Sequence, residues 1–220
     1  MKGLLYKDLC TLTSRYKKNF LVVFVLYIVW AVLFDMPFML YALVFVLGMY
    51  VQSAISFDEY SHWDMYGHTL PVRPAALVGS KYILGGGAIL AGCLLAAAAF
   101  VLSPVASKGD SAEILLGILS AATTSTFYFS LSVPLSYKFG CDRARTAVLL
   151  VLAGIFCLVM LVFTRLPDGA LDGLNAAADA SGLSDEVLSL LASPALAGVS
   201  LVLFLASWGV STAIYRKKEY

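Results

Sequence analysis

The chain is 220 residues long, 60% hydrophobic and only 13% charged, with a formal net charge of +1. A soluble domain of this size carries about a quarter charged residues, so the composition excludes that class and identifies an integral membrane protein. The near-neutral balance gives no ground for a nucleic-acid role.

A helix needs roughly 20 apolar residues to span hydrocarbon. Uncharged runs of that kind predict six spans, near 19–34, 37–57, 82–106, 114–136, 146–164 and 194–215. The expected fold is an all-α integral membrane protein, a single transmembrane domain over 1–220, with six transmembrane helices and both termini cytoplasmic.

Residues 1–18 read MKGLLYKDLCTLTSRYKK, with Leu4, Leu5, Leu9 and Leu12 at helical spacing among basic residues. This pattern fits an amphipathic helix lying in the cytoplasmic interface before the chain turns into the first span. The alternative is a basic tail that only sets topology. The first run is bracketed by Lys18 and Asp35 and is short enough to resemble a secretory signal, but no small-x-small cleavage site follows it. Asp35-Met36-Pro37 reads instead as a tight turn whose Pro opens the next helix, so spans one and two form a hairpin.

Between spans two and three the apolar pattern breaks at FDEYSHWDMYGHTLPVRPAALVGSKY, residues 57–82. Pro71 and Pro74 stiffen a turn here, and Pro74 can start a short helix through Lys81. Asp58 and His62 stand four apart, as do Asp64 and His68, so on one continuous helix each pair could ligate a metal. Gly67 and Pro71 argue against such a helix, and solvated polar residues account for the same letters.

Span three opens on Gly85-Gly86-Gly87 and continues through Gly92 and Ala96–Ala99, small residues that let helices approach closely. Span four carries Ser120, Thr123, Thr124, Ser125, Thr126, Ser130 and Ser132 before Pro134, which should kink it. Two readings stand: a polar substrate path carried by Thr123, Thr126 and Ser130, or hydroxyls bonded back to their own helix or to a neighbour. Residues 165–192 form an outer loop with a short capped helix at SDEVLSLLAS and the length to act as a lid. Ser193-Pro194 then caps and starts the last span, which ends in Arg216, Lys217 and Lys218.

Orientation follows from the cations. With both ends inside, the N-terminal tail, 58–81, 137–145 and the C-terminal tail hold thirteen of the fifteen lysines and arginines, leaving Lys108 and Arg165 outside. Cys10, Cys93, Cys141 and Cys157 stand alone, which supports neither a disulfide framework nor a zinc cluster. Gly79-Ser80-Lys81 lacks the upstream glycine and the ending of a phosphate-binding loop, and the nucleophile elbow and zinc-peptidase patterns are missing. The spans hold no charged group for catalysis, so the chain is not expected to be an enzyme and needs no cofactor of its own.

The segment after span two carries Glu59, Trp63-Asp64, Thr69-Leu70-Pro71-Val72-Arg73 and Lys81-Tyr82, and the chain opens Lys2-Gly3-Leu4-Leu5-Tyr6-Lys7-Asp8-Leu9. These motifs, with six spans and both ends inside, resemble the permease subunits of bacterial type-2 ABC transporters across the whole chain. One departure is Arg73 directly after Val72 and before Pro74, where the family more often has a small polar residue before the Arg. The resemblance implies a multi-pass protein of the bacterial plasma membrane that works with a separate ABC ATPase subunit, which binds ATP and magnesium. It also implies a second permease subunit, identical or paralogous, and lipid around the bundle. Under it, residues 58–81 couple to the ATPase. Trp63, Tyr66 and Leu70 would be apolar anchors, Pro71 the stiffener, Asp58, Glu59, Asp64 and Arg73 the rim, and Lys81 the entry to span three. An interfacial aromatic belt is the other reading of Trp63 and Tyr66. The implied activity is export of peptides or other amphipathic molecules by alternating access; the alternative is a non-transporting membrane assembly or sensor protein of the same topology.

Overall fold

The computed structural model describes residues 2–34, 38–69, 72–102, 111–165 and 185–217. They form seven helices: α1 (Lys2–Leu33), α2 (Phe38–Tyr60), α3 (Trp63–Thr69), α4 (Pro74–Leu102), α5 (Ser111–Phe139), α6 (Cys141–Arg165) and α7 (Asp185–Lys217). Helices are the expected outcome for apolar sequence in lipid, where each backbone donor and acceptor must find its partner within the segment.

Five of them are long and apolar enough to cross a membrane, over Phe38–Tyr60, Pro74–Val101, Ile114–Phe139, Cys141–Val162 and Ser193–Lys217. The apolar part of α1, Leu21–Ala31, is shorter. The protein is therefore an all-α, multi-pass membrane protein.

Three boundaries differ from the sequence reading. First, α1 runs unbroken for 32 residues, with no turn between an interfacial helix and a span. Its Leu4, Leu5 and Leu12 pack against the bundle core, so tertiary contact holds the basic segment in line with the apolar half of the same helix. Second, α4 starts at Pro74 and continues without interruption into the span, instead of forming a separate short helix. Proline suits that first position, because the missing N–H would have no helical partner there. The Arg73 carbonyl accepts the amides of Ala76 (2.8 Å) and Leu77 (3.4 Å). Third, α7 begins at Asp185 and passes through Pro194, so Ser193-Pro194 lies inside the helix. Membrane bundles tolerate such prolines because neighbours make up for the lost bond. The Asp35-Met36-Pro37 turn and residues 166–184 of the outer loop lie outside the described residues.

Two apolar clusters hold the bundle. One gathers Val51, Ile55, Val78, Tyr82, Phe129, Val133, Tyr137 and Tyr215 near the α2–α3–α4 connection. The other gathers Ala31, Leu40, Val44, Ile89, Ala96, Phe100 and Ile118 at the opposite end. Small residues set the helix spacing. A Cβ on Gly92 would come within 3.2 Å of the Val44 backbone, and one on Gly85 would enter the Phe129 ring. Helix α5 lies against α2, α4, α6 and α7, and α2 lies against α1, α3, α4, α5 and α6.

Candidate functional site

The densest polar chemistry begins with Asp8. Leu4, Asp8 and Leu12 are spaced four apart and share one helix face. Because Leu4 and Leu12 dock on the inner core, Asp8 is drawn in with them and is only 2% exposed. A lone buried carboxylate is costly unless cations meet it. Lys81 Nζ lies 2.7 Å from Asp8 Oδ1, and Lys7 Nζ lies 3.0 Å from the same oxygen.

Asp58, near the end of α2, completes the arrangement. Its Oδ1 is 2.6 Å from Lys7 Nζ and its Oδ2 is 2.6 Å from Lys81 Nζ. Each lysine touches both aspartates, which closes a ring of alternating charge between α1, α2 and α4. Asp8, Asp58 and Lys81 are buried and Lys7 reaches in from the edge with its side chain 26% exposed, so three of the four members are shielded from solvent. Such a network need not outperform apolar packing, but losing one member strands a buried charge at a cost of about 3–5 kcal/mol.

The α2–α4 connection sits directly on this ring. Ser61 and His62 turn the chain, with His62 at φ 52°, a left-handed conformation unusual for a residue with a Cβ. The short α3 follows. Lys7 Nζ stands 4.1 Å from the centroid of the Trp63 ring, a cation–π contact that ties α3 to the charge ring. Trp63 and Tyr66 face each other with centroids 5.2 Å apart. Gly67 is buried against Leu77 and the Tyr215 hydroxyl, both 3.7 Å from where its Cβ would be, which presses α3 onto α4 and α7. Met65 and Tyr66 project outward, at 56% and 57% exposure, and Arg73 is also exposed.

A second tie joins α2 to α6. Glu59 Oε2 accepts the Cys141 amide at 2.6 Å, capping the first turn of α6 across the bundle. Tyr60 donates its hydroxyl to Asp142 Oδ1 at 2.9 Å. Gly140, at φ 82°, provides the left-handed residue that ends α5 and leaves room for the Glu59 carboxylate.

The nine residues singled out for coupling therefore separate. Asp58, Trp63 and Lys81 are brought together around the ring, Glu59 turns to α6, and Tyr66 and Arg73 face outward. Leu70, Pro71 and the Asp64 side chain lie outside the described residues. Both Asp58 oxygens are held by lysines, so the Asp58–His62 metal pairing does not form; the Asp64 and His68 side chains are not described. Sequence reasoning missed Lys7 and Asp8 as parts of the site. The signal was present, since Asp8 interrupts an otherwise leucine-lined face.

On α5 the hydroxyls bond to their own helix: Thr123 to the Leu119 carbonyl (2.9 Å), Thr126 to that of Ala122 (2.8 Å) and Ser130 to that of Thr126 (2.8 Å). Thr123 and Thr126 nevertheless line an apolar cavity of about 240 Å³ between α4, α5 and α7. The Ser130 carbonyl accepts Ser207 at 2.5 Å, and the Tyr82 hydroxyl meets Ser207 (2.6 Å) and Ser211 (2.9 Å), so polar groups cross-link α4, α5 and α7.

Residues 3–216 match the family model described as ABC-2 family transporter protein. No curated protein and no solved structure matches the chain.

Proposed function

The chain belongs to the ABC-2 transporter family, and on that premise we propose that it is the permease subunit of an ATP-driven exporter, coupled to a separate ABC ATPase through the α2–α4 connection. The observation that carries the coupling assignment is the charge ring of Lys7, Asp8, Asp58 and Lys81 beneath that connection. A push on α3 is delivered through Trp63 and Lys7 to three helices at once, so α1, α2 and α4 move as a body instead of bending separately. The outward-facing Tyr66 and Arg73 are the partner contacts, Tyr66 as the aromatic anchor and Arg73 as the charged rim, with Leu70, Pro71 and Asp64 assigned to the same surface. The buried Asp58 and Lys81 position that surface from beneath, and Glu59 relays its position to α6.

In this reading ATP and magnesium are bound by the ATPase, and α1 supplies the sixth span with its Leu21–Ala31 stretch at the centre. We place the termini and the α2–α4 connection on the cytoplasmic side of a bacterial plasma membrane, an orientation supported by the lysine and arginine distribution. A second permease, identical or paralogous, completes the path. Apolar cavity walls fit an amphipathic cargo, peptides included, with Thr123 and Thr126 bordering part of its route. The test is co-purification of the tagged full-length chain from its native membrane. An ATPase with a phosphate-binding loop should accompany wild type and be lost from a correctly inserted Trp63→Ala, Tyr66→Ala, Arg73→Ala variant. Recovery of no such ATPase with wild type would overturn the assignment.

A further inference from the structure

A groove of about 590 Å³ opens between α2, α5 and α6, away from the charge ring. That volume lies within the 300–1,000 Å³ usual for ligand sites. The Glu59–Cys141 and Tyr60–Asp142 bonds set α2 antiparallel to α6. This register puts Arg145 and Ser53 at one end of the groove, and Phe45, Val46 and Leu152 toward the other. The walls are mainly apolar, with Tyr50, Gln52, Ser53 and Tyr128 adding polar groups, and among the described lining residues only Arg145 carries a formal charge.

Arg145 has no carboxylate within ion-pair distance among the described residues. Asp142, one turn before Arg145, accepts the Tyr60 hydroxyl, and Glu59 accepts the Cys141 amide; Arg145 lies near enough to Tyr60 to act on it electrostatically but forms no ion pair with either acid. A guanidinium at the mouth of an apolar groove, one turn inside a membrane helix, presents its donors to an anion whose remaining body is apolar. An arginine fork matches a phosphate better than a point charge does, and basic pockets between membrane helices are known to hold anionic headgroups.

We propose that this groove is a binding site for an anionic phospholipid, with Arg145 on the phosphate and an acyl chain along Met49, Leu149 and Leu152. The site is independent of the ATPase coupling proposed above, and either can fail without the other.

The test is native mass spectrometry of the full-length chain released from detergent micelles, titrated with dioleoylphosphatidylglycerol or dioleoylphosphatidylcholine. Wild type should retain phosphatidylglycerol in preference to phosphatidylcholine. Arg145→Ala should lose about tenfold in phosphatidylglycerol affinity, the size of one charge-assisted bond. Arg143→Ala, which removes a cation exposed like Arg145 from the same turn but outside the groove, should retain it. Leu149→Trp should reduce retention of both lipids by filling the apolar part. Equal retention of the two lipids by wild type, or equal loss in the Arg143 and Arg145 variants, would overturn the site. A dimer that persists with no lipid displaceable from the groove would overturn it too, by assigning that face to a second copy.

Discussion

Asp8 and Lys81, 73 positions apart in sequence, meet at 2.7 Å in the interior, and Asp58 binds the same ammonium from the other side. The pairing joins the first turns of α1 to the first turns of α4, so the N-terminal segment is a structural member of the bundle.

Removing one side of the pair should therefore cost more than removing both. Lys81→Met alone leaves two aspartates sharing Lys7, and Asp8→Leu alone leaves an excess of buried positive charge. Each should lower stability by about 3–5 kcal/mol. The Asp8→Leu, Lys81→Met double variant keeps the neutral Lys7–Asp58 pair and should melt above either single variant. Thermal unfolding of the detergent-purified chain, followed by size-exclusion chromatography, provides the comparison.

The capping of α6 by Glu59 predicts a smaller effect. Glu59→Ala removes the acceptor of the Cys141 amide and should cost about 1 kcal/mol. Gly140→Ala should cost more, because a side chain there must adopt a positive φ and its Cβ would stand 2.6 Å from Glu59 Oε1. In the Glu59→Ala background the contact penalty disappears and only the backbone strain remains. The same melting assay reads this coupling as a double-mutant cycle.

Gly85 tests the packing of α4 on α5. A Cβ at Gly85 would meet Phe129, whose side chain is fully buried, whereas one at Gly87 would meet nothing. Gly85→Ala should destabilise by about 1–3 kcal/mol through overpacking, and Gly87→Ala should be neutral. Phe129→Leu should recover part of the loss in the Gly85 variant, because it removes the ring that the new methyl strikes.

The membrane class, five of the six expected spans and the small-residue approach of α4 were legible in the sequence, because hydropathy and helix-contact chemistry act locally. The course of α1 was not legible. Nothing in Lys17-Lys18-Asn19 announces that the helix continues, since continuity depends on Leu4 and Leu12 docking against residues far along the chain. Pro194 misled for a related reason. Proline marks a helix start in water, but within a bundle the helix can pass through it. Composition pointed to the α2–α4 connection, with Asp58 read as its charged rim and Lys81 as the entry to span three, but not to the ion pairs these two make with each other and with Lys7 and Asp8 of α1. Charges in an apolar chain look exposed until the segment that neutralises them is found. Asp8, set between Leu4 and Leu12, was the residue that indicated it.

Tyr66 and Arg73 should separate function from stability. Both are exposed and neither belongs to the charge ring, so Tyr66→Ala and Arg73→Ala should change unfolding by no more than about 0.5 kcal/mol. Each should still weaken ATPase recovery several-fold, and Arg73→Lys should restore less than full recovery if the contact uses the guanidinium fork.

Site-specific photocrosslinking tests the central claim most directly. A benzophenone amino acid at Tyr66, on the outward face of α3, is compared with one at Leu94, 73% exposed in the middle of α4. The coupling assignment predicts that Tyr66 captures a polypeptide whose peptides include an ATP-binding phosphate loop, and that Leu94 does not. Capture of that ATPase from neither position, or equally from both, would contradict it.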